Sequence, residues 1–493
     1  MHAVARLRKT RLLDPGDPNA AGALDAHPLV REWFGGRLKT TNEAAWTAAH
    51  GRLYAHLRDK TNEGTKPTLA DLAPLYQAIA HGCSAGRHEE VLQEIYLNRI
   101  CRRFPDGQLE FYSNRKLGAV GSDLAAIAWF FEKPYEAVFV TLAPVDQAWV
   151  LSDAAFGLRA QGRFGEALPA MRVALRLAEE AKLWKNAAMR ATNLSEAEKF
   201  VGEVSAAAKT AERSILHADR SGGEWTMVSR TGHAVALHLL GLREEALKLF
   251  LDAERRQKEL QPEYPLLYSL RGYHYCDLML AEGDYVGVRD RATTILQWEN
   301  DSDSLLDRAV VRLALGRAYL GLALSSIGSQ PSLFAARDNA RSGLAWVRAA
   351  IEGLLAANAT HYVPIGLLAR AAFHRSVGDW NGAARDLDEV EEISEPGPMR
   401  LYLCDMALEG VRLAFAHLES FTPLNGLIDD SRLEPVVLDA DERMRLNEKA
   451  SKNLADVQKL IDDCGYHRRD EELAELQAVL RGERKFADLP PRV

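Results

Sequence analysis

The chain has 493 residues, long enough for several domains and an ample core. Lys and Arg number 61 against 69 Asp and Glu, a net charge of −8, which opposes the basic excess of a nucleic-acid binder. Hydrophobic residues at 47% exclude a wholly disordered chain, and no run approaches the roughly 20 apolar residues that span a membrane. The opening MHAVARLRKTRLL lacks the apolar stretch of a secretory signal. Five widely spaced cysteines make no disulfide framework and suit a reducing, cytoplasmic setting.

Taken in chain order, residues 1–40 open with a short strand-like run, RKTRLL. The turn-rich DPGDPNAAG follows, and then a helix from Leu24 to Phe34. Asn42 is placed to cap a helix over 43–58. Ser122 or Asp123 is placed to cap LAAIAWFF. Residues 304–327 and 332–355 read as a long, glycine-poor helix pair. SEPGP at 394–398 breaks the chain, 399–420 is a helix, 421–435 a long loop, and 440–463 and 468–481 are charged helices. RGERKFADLPPRV reads as a frayed tail. The domain reading is 1–40, then N-terminal helical repeats over 41–148, regular repeats over 149–400, and a helical cap with tail over 401–493.

The regular part rests on a repeat. CSAGRHEEV, RAQGRFGEA, KFVGEVSAA, HLLGLREEA, LAEGDYVGV and RSVGDWNGA align on Gly86, Gly162, Gly202, Gly241, Gly283 and Gly378. From Gly162 to Gly283 the spacing is about 40 residues. Five residues after each glycine stands a small side chain: Val91, Ala167, Ala207, Ala246, Val288 and Ala383. Nine after it stands an apolar one, and seven before it, in the last five units, another small one. Three units place Phe164, Tyr285 or Trp380 two after the glycine. This is a helix, a left-handed glycine turn, and a second helix folding back so closely that only small residues fit the crossing. Such pairs cannot bury their apolar faces alone and must stack.

The glycine, the aromatic two later and the alanine five later resemble the tetratricopeptide repeat. The period is longer than the usual 34, and the usual tryptophan and proline are missing from the unit ends. The resemblance covers roughly residues 65–400. It implies an all-α, right-handed α-solenoid of stacked antiparallel helix pairs. The segment Leu24-Asp25-Ala26-His27-Pro28-Leu29-Val30-Arg31-Glu32-Trp33-Phe34, with the turn before it, resembles the end of the winged-helix segment in bacterial STAND regulators (NACHT and NB-ARC type ATPases). That likeness implies a small winged-helix-like remnant at the N-terminus and an ATPase domain in cis or trans.

Motifs for chemistry are absent. There is no P-loop, no GxGxxG after a strand, no HExxH and no CxxC, so no catalytic, cofactor or metal residues are assigned. Cys464 and His467 have Cys-x-x-His spacing without a second half, and read as a helix end and solvated turn. In a stacked solenoid the first helices line the inner face. Three residues before the glycines stand Arg159, Lys199, His238 and Arg375; six and ten before stand Phe156, Asp277 and Tyr273. These seven form the candidate partner groove, an accessible basic and aromatic column suited to an acidic peptide. The expected function is a protein- or peptide-binding scaffold, the sensing module of a signalling or STAND-type regulator, with a free-standing adaptor as the alternative. No nucleic acid, membrane or cofactor is expected. An RNA-binding repeat and an enzyme with a pocket inside the superhelix are the less favoured readings.

Overall fold

The computed structural model describes residues 2–13, 26–299, 303–327, 332–428 and 437–493. The DPGDPNAAG turn lies outside the described residues, as does the second half of the 421–435 loop, from 429 on. Contacts divide the chain into two units: residues 1–110 with 139–143, and residues 111–138 with 144–493.

The first unit holds α1 (His2–Lys9), α2 (Pro28–Thr41), α3 (Glu43–Lys60), α4 (Leu69–Ser84) and α5 (His88–Glu90), which runs on as π-helical turns over Val91–Ile100. RKTRLL is not a strand: helix persists to Lys9 and residues 10–13 turn. Six residues with two apolar leucines at the end carry no period-2 pattern to hold them extended. Of the helix expected from Leu24, Leu24 and Asp25 lie outside the described residues; the described helix begins at Pro28, where proline suits the first turn, and His27 caps it. Asn42 caps α3 as expected, accepting from Ala45 N at 3.0 Å.

The second unit opens with α6 (Tyr112–Leu117) and α7 (Val120–Ile127) and a two-stranded antiparallel hairpin, β1 (Phe131–Lys133) and β2 (Ala137–Val138). Because α7 starts before Ser122 and Asp123, neither caps it; Asp123 instead accepts from Ser113 Oγ at 2.8 Å. Seven helix pairs then stack. They are α8 (Pro144–Ala160) with α9 (Phe164–Glu180), α10 (Trp184–Phe200) with α11 (Val204–Ser221), and α12 (Trp225–Leu239) with α13 (Arg243–Leu260). Then come α14 (Ser269–Ala281) with α15 (Tyr285–Leu296), α16 (Leu305–Ser325) with α17 (Ser332–Ala356), α18 (Val363–Val377) with α19 (Trp380–Ser394), and α20 (Arg400–Glu419) with α21 (Ala440–Cys464). The short α22 (Asp470–Leu480) follows. The protein is an all-α solenoid of antiparallel helix pairs. Among the described residues, no helix is long and apolar enough to cross a membrane.

The repeat register is the packing register. All six aligned glycines have φ between 74° and 87°, the left-handed region. All six residues five positions later are fully buried. At one crossing Ser195 Oγ donates to the Ala207 carbonyl at 2.7 Å. The pair α16–α17, expected to be glycine-poor, in fact carries Gly316, Gly321, Gly343 and Gly353 inside its helices: a Cβ on Gly316 would lie 2.6 Å from Val347 Cγ2, and one on Gly343 would lie 2.7 Å from Phe373 Cζ. Helix-interior glycines therefore allow close approach within this pair.

The superhelix of the second unit closes on itself. A Cβ on Gly397 would meet Gly162 O at 2.3 Å, one on Gly202 would meet Cys464 Sγ at 2.6 Å, and one on Gly241 would meet the His467 carbonyl carbon at 3.3 Å. Three successive turns thus dock successive pieces of the C-terminal half. One apolar cluster runs from Val204 through Phe250 and Leu278 to Cys404, Ile461 and Phe486. The expected frayed tail is part of this structure. Phe486 is buried against Phe415 and Phe421, and its backbone N–H donates to Glu419 at 2.7 Å.

Candidate ligand-binding cavity

The first helices of the pairs face inward, so the residues three before each turn glycine meet inside. Arg159, Lys199, His238 and Arg375 are all there, but none is more than 9% exposed. The expected accessible column is a buried one, because closure of the superhelix covers it. Buried cations need partners, and neighbouring first helices supply them. Arg159 pairs closely with Glu196, whose other oxygen accepts from Tyr362 Oη. Arg317 donates to Asp277 at 2.9 Å, and Arg375 to Glu409 at 2.6 Å.

The C-terminal helices complete the cluster. Arg468 donates to the second oxygen of Asp277 at 2.7 Å. Asp405 accepts from Arg469 at 2.9 Å and from Tyr466 Oη at 3.1 Å. Arg412 bridges Glu409, at 3.2 Å, and Glu472, which Arg469 also reaches at 2.9 Å. Each of these five carboxylates is held by two donors.

Beside this cluster lies a cavity of about 510 Å³, within the range of small-ligand sites. Lys199, Phe200, Tyr273, His274, Tyr362 and Tyr402 line it, together with Asp277, Arg317 and Arg468. Arg243, Glu282 and Glu471 line it too and are exposed or half-exposed, marking its mouth; Arg243 ties to Glu471 at 3.2 Å and to Glu282 at 3.5 Å. The segment Pro490–Val493 forms part of the same wall. Tyr285 Oη donates to Pro491 O at 2.9 Å, Arg317 donates to Val493 O at 2.8 Å, and Arg492 pairs with Glu475 at 3.1 Å.

Of the seven residues expected from the sequence, Lys199, His238, Tyr273 and Asp277 line this cavity. Arg375 lines a neighbouring pocket of about 380 Å³ with Phe486 and Glu472. Arg159 and Phe156 line neither pocket; Phe156 is half-buried under the Arg159 guanidinium, 5.1 Å from the ring centre. Sequence reasoning missed Glu196, although it occupies the same position as Asp277, six before a glycine. It also missed Tyr402, Asp405, Glu409 and Arg412. Their spacing of three, four and three puts a polar stripe on one face of an otherwise apolar helix, a readable signal.

The electrostatics follow from burial. Burial pushes the Asp277 carboxyl up, but Arg468 and Arg317 outweigh it and hold it well below the usual carboxylate range. Glu196 is likewise raised by burial and lowered further by Arg159 and Lys199. Burial pushes the Lys199 ammonium below an ordinary lysine, against the pull of Glu196.

Burial drives His238 down to about 3, with Arg468 adding to it, and His361 down to about 3, with Arg159 adding to it. Both rings stay neutral in the fold where the unfolded chain takes up protons near pH 6.5. Their contribution is therefore intact above pH 6.5 and is lost as the pH falls towards 3. At pH 5 the loss is about 2 kcal/mol per ring. Urea unfolding at pH 7.5 and pH 5 should show this drop, and His238→Leu should reduce it, leaving the part due to His361.

No protein-family model matches the chain, and no curated protein is similar to it in sequence. Among solved structures it is similar to the crystal structure of a Rap protein complexed with competence and sporulation factor. The match has 11% identity and a TM-score of 0.32, and covers 92% of this chain and 99% of that one.

Proposed function

We propose that the protein is a peptide-binding helical-repeat module, with the inner cavity as its recognition site and no catalytic role. The observation that supports this reading is the seat of residues Leu489–Val493. An extended segment lies on the inner face, held largely by side chains of the solenoid gripping its carbonyl oxygens. Backbone contacts of that kind accept any extended peptide, while the lining side chains select among sequences. The closed superhelix favours a short ligand over the long helix an open groove would take.

The narrower role, sensing arm of a STAND-type ATPase, stands on the N-terminal resemblance alone. The change from strand to helix before Leu13 removes one of the features that suggested it.

Removing Leu489–Val493 tests the reading. A labelled LPPRV peptide should bind the truncated protein and raise its fluorescence anisotropy. The intact protein should bind at least about ten-fold more weakly, since its own segment competes at high effective concentration. Arg317→Met in the truncated protein should weaken binding. A truncated protein with unchanged helicity and no binding would contradict the proposal.

A further inference from the structure

We infer that the cavity receives a carboxylate group of its ligand on Lys199, with Tyr402 as the second donor. This rests on the reading of the cavity as a peptide site and adds the chemistry of what enters it.

Lys199 is 91% buried and lines the cavity. Among the described residues its ammonium has no hydrogen-bond or ion-pair partner; it stands 5.1 Å from the centre of the Phe200 ring and feels Glu196 and Asp277 only at longer range. The surrounding carboxylates are unavailable. Glu196 is held by Arg159 and Tyr362, and Asp277 by Arg317 and Arg468. Tyr402 packs on the same Phe200 ring, with centroids 5.6 Å apart, and its hydroxyl is also without a partner among the described residues. His274 lines the same space.

A lone ammonium under this much protein is costly unless something neutralises it. Every other cation of the cluster is answered by a carboxylate of the chain. The one that is not points into a space of about 510 Å³. A ligand carboxylate placed there would accept from Lys199 and from Tyr402 Oη, in a charge-assisted pair at low dielectric. Arg317 and Arg468 are already occupied, so the site offers one ammonium, which suits a single carboxylate at this point. That group comes either from a small organic acid or from an acidic or terminal residue of a short peptide.

The test uses the intact chain and Lys199→Met, which keeps the length and loses the charge. Thermal unfolding is followed with millimolar glutarate, with an acidic tetrapeptide, with the same tetrapeptide carrying amides, and with matched sodium chloride. At least one acid should raise the melting temperature by about 2 °C or more, and the amide form and salt should not. Glutarate alone acting points to a small acid; the tetrapeptide alone acting points to a peptide. Lys199→Met should lose this response and, without ligand, melt above the parent, because a buried uncompensated charge has been removed. A variant that melts below the parent, or that keeps the response, overturns the inference, as does a parent that responds to neither acid. If LPPRV still binds the truncated protein, those outcomes leave the peptide reading standing and remove only the carboxylate.

Discussion

Replacing Asp277 with alanine is expected to destabilise the second unit by about 3–5 kcal/mol, the cost of stranding buried charge. Arg317 and Arg468 donate to its two oxygens at 2.9 and 2.7 Å, and both guanidiniums are largely sealed from water. Without the carboxylate the two cations are left close together with no anion between them. Arg317 belongs to α16 and Arg468 to the turn before α22, so the loss also unties the C-terminal helices from the repeats. At roughly 1 °C per kcal/mol for a unit of this size, the melting temperature should fall by about 3–5 °C. Asp277→Asn should cost less, because it keeps one acceptor. Adding Arg468→Met to Asp277→Ala should recover part of the loss, since one stranded cation is removed. A variant melting with the parent would show that Asp277 is not the centre of the cluster.

Ala246→Trp should be at least as damaging. Ala246 stands five after Gly241, is fully buried, and lies across the turn from Ala234, also fully buried. The two backbones approach there because neither side chain extends beyond Cβ. An indole must push α12 and α13 apart, and overpacking by far smaller additions already costs about 1–3 kcal/mol. The same crossing supports Phe250 in the shared apolar cluster, so the damage spreads to α20 and α21. Glu244→Trp, two residues earlier and exposed, is the control and should leave melting unchanged. Equal melting of the two variants would contradict the repeat register.

The register was legible because it is local. A left-handed glycine, a small residue five later and an apolar one nine later are each demanded by a single turn, and each fell where the sequence placed it. Closure was not legible, since it depends on small rotations summed over seven pairs. Gly202 shows why: one glycine serves its own turn and also admits Cys464 from far along the chain, and only the first role leaves a periodic trace. Closure also changes what the inner column means. Arg159 and Arg375 point inward as expected, yet each meets a carboxylate of the next first helix. Reversing their charge would set carboxylate against carboxylate and disturb folding rather than test binding. The C-terminal segment was misjudged because its composition is polar and turn-rich; Phe486, one aromatic in a charged stretch, was the sign that it docks.

Hydrogen exchange of residues 486–493 in the intact protein tests the central claim, that the C-terminal segment docks on the solenoid instead of fraying. Phe486 and Ala487 N–H donate to Glu419 at 2.7 and 3.1 Å. Their amides should therefore exchange at least about a hundred-fold more slowly than in the free peptide, and Glu419→Ala, which removes their acceptor, should speed both. Exchange of the whole segment at the free-peptide rate would mean that it is not docked, and the account would fail.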